Sequence, residues 1–169
     1  MVAFDKESQA RILKVAELRR EGKEIDEMDE NFLNKVVQLN FNSTFLATQQ
    51  VLPYMTSGSS IVNFASQAGR DGGGPGASAY AASKGAVITF TRSMAKELGQ
   101  QGIRVNSLCP GMIATTFHDT FTKDEVRSNV ANATPLKREG RPDEMATTVS
   151  FLLSDESSFL TGVNLDTNG

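Results

Sequence analysis

Short apolar runs alternate along this chain with longer segments of helical periodicity, and this alternation constrains the fold more than any other feature. Strands are predicted near residues 1–5, 61–66, 103–109 and 163–167. Helices are predicted near 6–21, 29–56, 78–99, 116–129 and 142–154. Parallel strands joined by right-handed helical crossovers form a sheet covered on both faces. The sequence therefore predicts an α/β fold with a doubly wound parallel sheet, in one domain over 1–169.

A group of polar residues follows the apolar run 61–65. Ser66 ends this predicted strand, a Gly-rich loop follows, and Tyr80 and Lys84 lie in the first turns of the next helix. Residues four apart share a helix face, so the Lys84 ammonium is placed to favour the ionised phenol of Tyr80. Open α/β sheets bind ligands outside the carboxyl ends of their strands. Tyr80 is therefore a candidate for proton transfer.

Each of these residues also has a simpler interpretation. Tyr80 can be a half-buried aromatic residue beside a solvated Lys84, since such pairs arise by chance in many helices. Ser66 can cap the end of a strand, and Asn40, on the preceding predicted helix, can bond to the helix backbone. The set is more informative than any member of it.

The ordered set Asn40, Ser66, Tyr80 and Lys84 resembles the catalytic set of the short-chain dehydrogenase/reductase family. The resemblance covers about residues 26–169. It includes the segment 110–115, which is similar to the family's loop after the sixth strand, and the run 160–169, which looks like the family's last strand. The resemblance implies a Rossmann-like fold and reversible hydride transfer between a nicotinamide cofactor and a secondary alcohol or its ketone.

The same resemblance implies a role for each residue. Tyr80 exchanges the hydroxyl proton, Ser66 hydrogen-bonds the substrate oxygen, Lys84 contacts the nicotinamide ribose, and Asn40 holds a water that links Lys84 to solvent. The residues expected to contact the cofactor are Asp5, Tyr80, Lys84, Pro110, Gly111, Ile113 and Thr115. The residues expected to contact the substrate are Ser66, Gln67, Arg70, Tyr80 and His118.

Asp5 bears on the choice of dinucleotide. It ends a predicted strand that resembles the family's second strand, where an acidic residue binds the ribose hydroxyls and repels a 2′-phosphate. NAD is therefore expected, with NADP as the alternative. Asp5 is equally suited to cap the helix that follows it.

Two segments of the family pattern are absent from this sequence. One is the first βα unit with its Gly-rich turn, expected before residue 1, and the other is a strand–helix–strand stretch near Ile25. The Gly-rich run 72–76 does not replace that turn, because no strand leads into it, and it is interpreted as a flexible loop on the substrate side. The two explanations are a truncated relative and a longer protein whose cofactor-binding segments are missing from these 169 residues. The second is favoured, because both gaps fall at element boundaries.

Charge and composition limit the kinds of binding partner that are expected for this chain. A net charge of −3 gives no reason to expect nucleic acid, so a small-molecule ligand is predicted. The lone Cys109 cannot form an internal disulfide, and neither a secretory signal nor an apolar run of membrane-spanning length is evident, which predicts a soluble cytoplasmic protein. One His and one Cys make a metal site unexpected. By resemblance, the apolar helix 85–95 and the Asn40 helix pair with those of a second subunit, giving a dimer or tetramer.

Sequence constrains the substrate less. Arg70 and His118 are candidates for binding a carboxylate, and the resemblance favours sugar-derived keto acids slightly over 3-oxoacyl thioesters. Two other functions stay open: a non-catalytic relative that keeps the fold as a scaffold, and an epimerase or dehydratase of the extended branch. The short C-terminal part argues against the latter.

Overall fold

The computed structural model describes residues 22–169, apart from the side chains of Phe117 and Phe121. The predicted strand 1–5 with Asp5, and the predicted helix 6–21, lie outside the described residues. In the described part the helices are α1 Glu30–Val37, α2 Ser43–Val51, α3 Ala68–Asp71, α4 Ser78–Leu98, α5 Thr116–Phe121, α6 Asp124–Ala133 and α7 Pro142–Leu153. The strands are β1 Ser60–Phe64, β2 Arg104–Pro110 and β3 Asn164–Thr167. Single 3-10 turns occupy Leu52–Tyr54, Gly99–Gln101 and Asp155–Ser157.

The three strands form one parallel sheet in the order β1-β2-β3. Helix α4 connects β1 to β2, and α5, α6 and α7 lie between β2 and β3 in the chain. This arrangement confirms the predicted α/β class with a parallel sheet. Because parallel strands point the same way, the segments that follow β1 and β2 emerge at one edge of the sheet.

Strand β2 is the centre of the core. Val105, Leu108 and Cys109 have no exposed surface, and Cys109 is buried as predicted. Burial raises the pKa of the Cys109 thiol, so the thiol stays protonated at neutral pH and is a poor nucleophile. Asn106 is also fully buried, and its side chain bonds to the Leu160 carbonyl at 2.8 Å and to the Val163 amide at 3.0 Å.

Helix α4 is fixed to the sheet by apolar and polar contacts. Val87 and Ile88 pack in one cluster with Ala65 and Cys109. On the same helix, the buried Thr91 hydroxyl accepts a hydrogen bond of 3.0 Å from the Asn63 amide of β1. These contacts fix the start of α4, which carries Tyr80 and Lys84, relative to the end of β1.

Two helix predictions differ from the structure. The single helix predicted over 116–129 is wrong: α5 ends at Phe121, Thr122 and Lys123 are extended, and α6 begins at Asp124. Asp124 and Glu125 favour a new helix start there, because acidic side chains stabilise a helix N-terminus.

The helix predicted over 29–56 is interrupted. A π-helical turn, Gln38–Asn42, separates α1 from α2. The Ser43 hydroxyl donates to the Leu39 carbonyl at 2.6 Å, and the Thr44 hydroxyl donates to the Asn40 carbonyl at 3.0 Å. Such side-chain bonds compete with the backbone ladder and accompany the local change of helix geometry.

Within residues 22–169, no helix combines the length and the apolar character that crossing a bilayer requires.

Candidate active site

A cleft of about 230 Å³ opens where the chain leaves β1 and β2. Its lining residues are Phe64, Ala65, Ser66, Tyr80, Lys84, Pro110, Gly111, Ile113, Thr115 and His118. Apart from Phe64 and Ala65, all of these were singled out in the sequence. The structure thus brings residues from β1, α4, the end of β2 and α5 into one site.

Helix α4 supplies the pair Tyr80 and Lys84 on one face. The Lys84 ammonium nitrogen lies 5.9 Å from the centre of the Tyr80 ring and donates a hydrogen bond of 2.8 Å to the Phe64 carbonyl. This bond ties the charge to the end of β1. A fixed positive charge so close to the ring stabilises negative charge that develops on the phenol during proton transfer.

Ser66 is held by the backbone around it. Its hydroxyl oxygen accepts a bond of 3.2 Å from the Ala68 amide, and its carbonyl accepts one of 3.0 Å from the Gly69 amide. The next residue, Gln67, donates its amide to the Pro110 carbonyl at 3.0 Å. Because the hydroxyl accepts the Ala68 bond in this turn, its hydrogen can donate to a ligand in the cleft.

Gly69 contributes to the site in a way that sequence reasoning missed. A Cβ on Gly69 would lie 2.8 Å from the Lys84 carbonyl carbon and 2.8 Å from the Gly85 amide nitrogen. Helix α3 therefore lies directly against α4 beside Lys84, and only glycine permits this approach. The position of Gly69 three residues after Ser66, with Gly85 next to Lys84, was the available signal.

The predicted residues Asn40, Gln67 and Arg70 do not line this cleft. Asn40 lies in the π-helical turn, where its side-chain amide donates to the Val36 carbonyl at 2.9 Å. It lines a neighbouring, wider groove of about 440 Å³ that also includes Phe64 and Lys84. The Asn40 groove and the cleft thus meet at Lys84.

Gln67 and Arg70 are engaged with the segment around β3. The Gln67 side-chain oxygen accepts a bond of 2.6 Å from Asn168. The Arg70 guanidinium donates two bonds of 2.8 Å to the Asp166 carboxylate and one of 3.2 Å to the Asn164 carbonyl. The carboxylate that Arg70 binds in this structure is that of Asp166.

The segment after β2 fits the nicotinamide end of a dinucleotide. Gly111 donates its amide to the Thr167 carbonyl at 3.2 Å, and a Cβ on Gly111 would lie 2.9 Å from the Cα of Asn168. Ile113 pairs with Gly140 in an isolated bridge. Backbone contacts thus tie Gly111 to Thr167 and Ile113 to Gly140, and Ile113 and Thr115 lie at the cleft with Lys84.

The described residues do not supply the pyrophosphate end. Among residues 22–169, the Gly-rich run 72–76 follows helix α3 rather than a strand, so it is not a strand-to-helix phosphate turn. Within residues 22–169, the candidate cofactor contacts are those of the cleft after β1 and β2.

Comparison with known proteins agrees with this geometry. The family described as enoyl-(acyl carrier protein) reductase matches residues 12–169. The chain belongs to the short-chain dehydrogenase/reductase family. This confirms the resemblance seen in the sequence.

Relatives of known name are similar over most of this chain. A 3-oxoacyl-(acyl-carrier-protein) reductase of Thermotoga maritima is 40% identical over 144 residues, which are 84% of this chain and 58% of that protein. A (3R)-3-hydroxyacyl-CoA dehydrogenase of Rattus norvegicus is 37% identical over 145 residues, 84% of this chain and 55% of that protein. The chain spans about half the length of the curated relatives it matches.

A solved structure of a named relative also matches the fold of this chain. A 3-oxoacyl-(acyl-carrier-protein) reductase of Brucella melitensis with bound NAD superimposes with a TM-score of 0.79 at 38% identity. The match covers 87% of this chain and 54% of that one. The described sheet and its helices are therefore a Rossmann-like short-chain dehydrogenase fold.

Proposed function

We propose that this chain is the catalytic part of an NAD(P)-dependent oxidoreductase that interconverts a secondary alcohol and its ketone. The observation that carries the proposal is the meeting of Ser66, Tyr80 and Lys84 in one cleft with Ile113 and Thr115. Family membership supports the same reaction. We treat residues 1–169 as one Rossmann-like domain, in which 26–169 hold the reacting groups.

The residues of the chain have distinct tasks in this reaction. A bound nicotinamide accepts a hydride from the alcohol carbon, or gives one to the ketone carbon. In the oxidation direction, the Tyr80 phenolate oxygen takes the hydroxyl proton while the Ser66 hydroxyl donates a hydrogen bond to the substrate oxygen. Lys84 stabilises the negative charge on the phenol oxygen. Asn40, across Lys84 from the cleft, holds the water through which the proton reaches solvent.

When a nicotinamide binds, Ile113 and Thr115 would hold its amide, and Pro110 and Gly111, which line the same cleft, would contact it. We propose NAD as the cofactor, with Asp5 binding the adenosine ribose and NADP as the alternative. The related Brucella structure contains NAD. A relative from Arabidopsis thaliana, 38% identical over 150 residues, is named an NADPH-dependent aldehyde reductase.

A 3-oxoacyl thioester is the substrate class that we favour over a sugar-derived keto acid. Two observations support this choice. The guanidinium of Arg70, a candidate for binding a keto-acid carboxylate, is paired with Asp166. The Thermotoga and rat relatives are named for 3-oxoacyl and 3-hydroxyacyl substrates.

We further propose that the protein is a homo-oligomer, with α1 and α2 in the contact between subunits. Leu33, Phe45 and Leu46 expose 39%, 41% and 53% of their surface. Large apolar residues exposed together on two neighbouring helices are typical of a contact with another protein surface. Phe45 of α2 also packs edge to face against Phe90 of α4, so α2 and α4 share one apolar face. Sedimentation equilibrium measures the subunit number, and a monomer at all concentrations would contradict this proposal.

Tyr80→Phe tests the reaction, and Tyr54→Phe is the matched control. The chain has two tyrosines, and Tyr54 is 86% exposed on a 3-10 turn. With acetoacetyl-CoA and NADH or NADPH as probes, Tyr80→Phe should lower turnover by about 10²- to 10⁴-fold, because the proton donor is lost. Tyr54→Phe should leave turnover unchanged, and both variants should keep the circular dichroism spectrum.

Two outcomes would contradict the proposal. If Tyr80→Phe keeps wild-type turnover, Tyr80 is not the proton-transfer residue. If the wild-type protein neither oxidises NADH or NADPH nor binds either, measured by nucleotide fluorescence, the non-catalytic scaffold function is correct instead.

A further inference from the structure

One wall of the cleft includes a helix, α6, that has no buried residue to hold it. This wall, residues 112–140, includes α5 and α6 and contributes Ile113, Thr115 and His118 to the cleft. No residue of α6 is buried, and Leu136 after it is 62% exposed. Segments with few buried apolar contacts open at low free energy, so another interaction must fix this wall if it is to bind substrate reproducibly.

Arg127 of α6 supplies such an interaction. Its guanidinium donates to both oxygens of the Glu139 carboxylate, at 2.7 and 2.6 Å, and to the Asp119 carboxylate at 2.7 Å. The Arg127 and Glu139 side chains are only 19% and 17% exposed. A bidentate, partly buried arginine–carboxylate pair is both stronger and more directional than an exposed ion pair.

The two carboxylates lie beside the residues that form the cleft. Asp119 directly follows His118, which lines the cleft. Glu139 directly precedes Gly140, whose amide donates to the Met112 carbonyl and whose carbonyl accepts from the Ala114 amide, both at 2.9 Å. Arg127 therefore joins α5 to the backbone that holds Ile113.

We propose that Arg127 is a positioning residue that fixes the substrate-side wall, residues 112–140, and thereby determines how tightly the carbonyl substrate binds. The inference rests on the proposed oxidoreductase function and adds a residue that does not touch the reacting atoms. The hydrogen bonds from Arg127 hold the pKa of Glu139 below its usual value, so the pair is fully charged at neutral pH.

The geometry requires arginine rather than any cation. Three donor atoms of one planar group reach two carboxylates, and a lysine ammonium cannot span both with the same geometry. Arg127→Lys should therefore rescue only part of the function that Arg127→Ala loses.

The test compares Arg127→Ala, Arg127→Lys and the control Arg141→Ala. Arg141 also pairs with a carboxylate, Asp143, but those side chains are 58% and 70% exposed and lie outside the cleft. With acetoacetyl-CoA as probe, Arg127→Ala should raise KM about tenfold or more, as expected for lost charge-assisted hydrogen bonds, while kcat changes little. The KM of Arg127→Lys should lie between those of the wild type and Arg127→Ala, and Arg141→Ala should keep the wild-type KM.

Hydrogen exchange gives a second measurement that needs no turnover. The amides of Ala114, Asp119 and Thr122 are bonded within the wall. In Arg127→Ala these amides should exchange faster, while those of β2 should keep wild-type protection.

The outcomes separate this inference from the proposed function. If no variant, including the wild type, turns over, the function fails, and exchange alone decides whether Arg127 fixes the wall. Unchanged KM together with unchanged exchange would falsify the inference. A fall in kcat as large as the rise in KM, with faster exchange in β2, would mean a general structural role and would also overturn it. If Arg127→Ala does not fold, Glu139→Gln, which keeps the side-chain volume, replaces it. This variant should also raise KM and speed the exchange of the wall amides, by smaller factors.

Discussion

The two sides of the cleft are held by different forces. On the catalytic side, Tyr80 and Lys84 lie on a helix whose Val87 is fully buried against Cys109 of strand β2. On the substrate side, residues 112–140, α6 has no buried residue and its Arg127 pairs with Asp119 and Glu139. Close packing holds a group firmly in one position, whereas a segment held by a few polar contacts shifts when one of those contacts is removed. If the proposed function is correct, the proton-transfer residues stand on the packed core, whereas the substrate-side residues lie where fewer side chains are buried.

The largest expected contrast is in stability. Leu108→Ala should lower the free energy of unfolding by about 2–5 kcal/mol, because it leaves a cavity in the middle of the sheet. Leu136→Ala, at a residue 62% exposed on the substrate side, should change it by less than about 0.5 kcal/mol. Urea unfolding measures both, and equal losses would show that the two sides are one packed unit.

A smaller effect is expected where α3 meets α4. Gly69→Ala should cost about 1–3 kcal/mol, because the new methyl group meets backbone atoms of Lys84 and Gly85 that cannot rotate away. Turnover should fall at least about tenfold as Lys84 shifts.

Gly74→Ala is the control for Gly69→Ala. Nothing lies within 4 Å of a Cβ at Gly74, and its φ is not positive. This variant should therefore keep stability and turnover. If Gly69→Ala behaves in the same way, α3 is free to move and the catalytic side is less rigid than described.

The smallest expected effect is a pH dependence at the start of α7, next to the substrate side. The hydrogen bond from Arg138, together with the Arg141 amide, lowers the pKa of Glu144 from 4.5 to about 2. A lowered pKa stabilises the fold above the unfolded value and loses that stabilisation as pH falls through the folded one. The melting temperature of Glu144→Gln should therefore lie below that of the wild type at neutral pH, and the difference should shrink between about pH 4.5 and pH 2.

Arg138→Gln breaks the same pair from its other partner. Its melting curve should show the same narrowing difference from the wild type toward low pH. A difference that stays constant down to pH 2 in either variant would mean that the ion pair does not contribute.

Some expectations followed directly from local sequence. The strand ending before Ser66, the helix start before Tyr80 and the helix start at Pro142 are all present. Each depended on a strong local signal: an apolar run, a Gly-rich break, or proline with acidic residues in the first turn. The break between α5 and α6 was missed, because periodicity alone does not locate a helix end within a polar segment.

The partners of charged residues were not predictable in this way. Arg70 is 96 residues from Asp166 in the chain, and only the pairing of β2 with β3 brings the carboxylate beside it. Arg127 and Glu139 were not singled out at all, since a charged residue in a polar segment looks like a solvated one. The close contact of Gly69 with α4 likewise depends on how two helices pack.

The sequence by itself determined the α/β class and the family, and it supplied the candidate residues for the chemistry, because periodicity and the order of short motifs along the chain are local signals. Only the tertiary structure decided that Asn40 lies in a neighbouring groove, that Arg70 pairs with Asp166, and that Arg127 bonds to both Asp119 and Glu139. Those facts depend on distances between elements far apart in the chain, and such distances are set by packing of the whole domain rather than by any local signal.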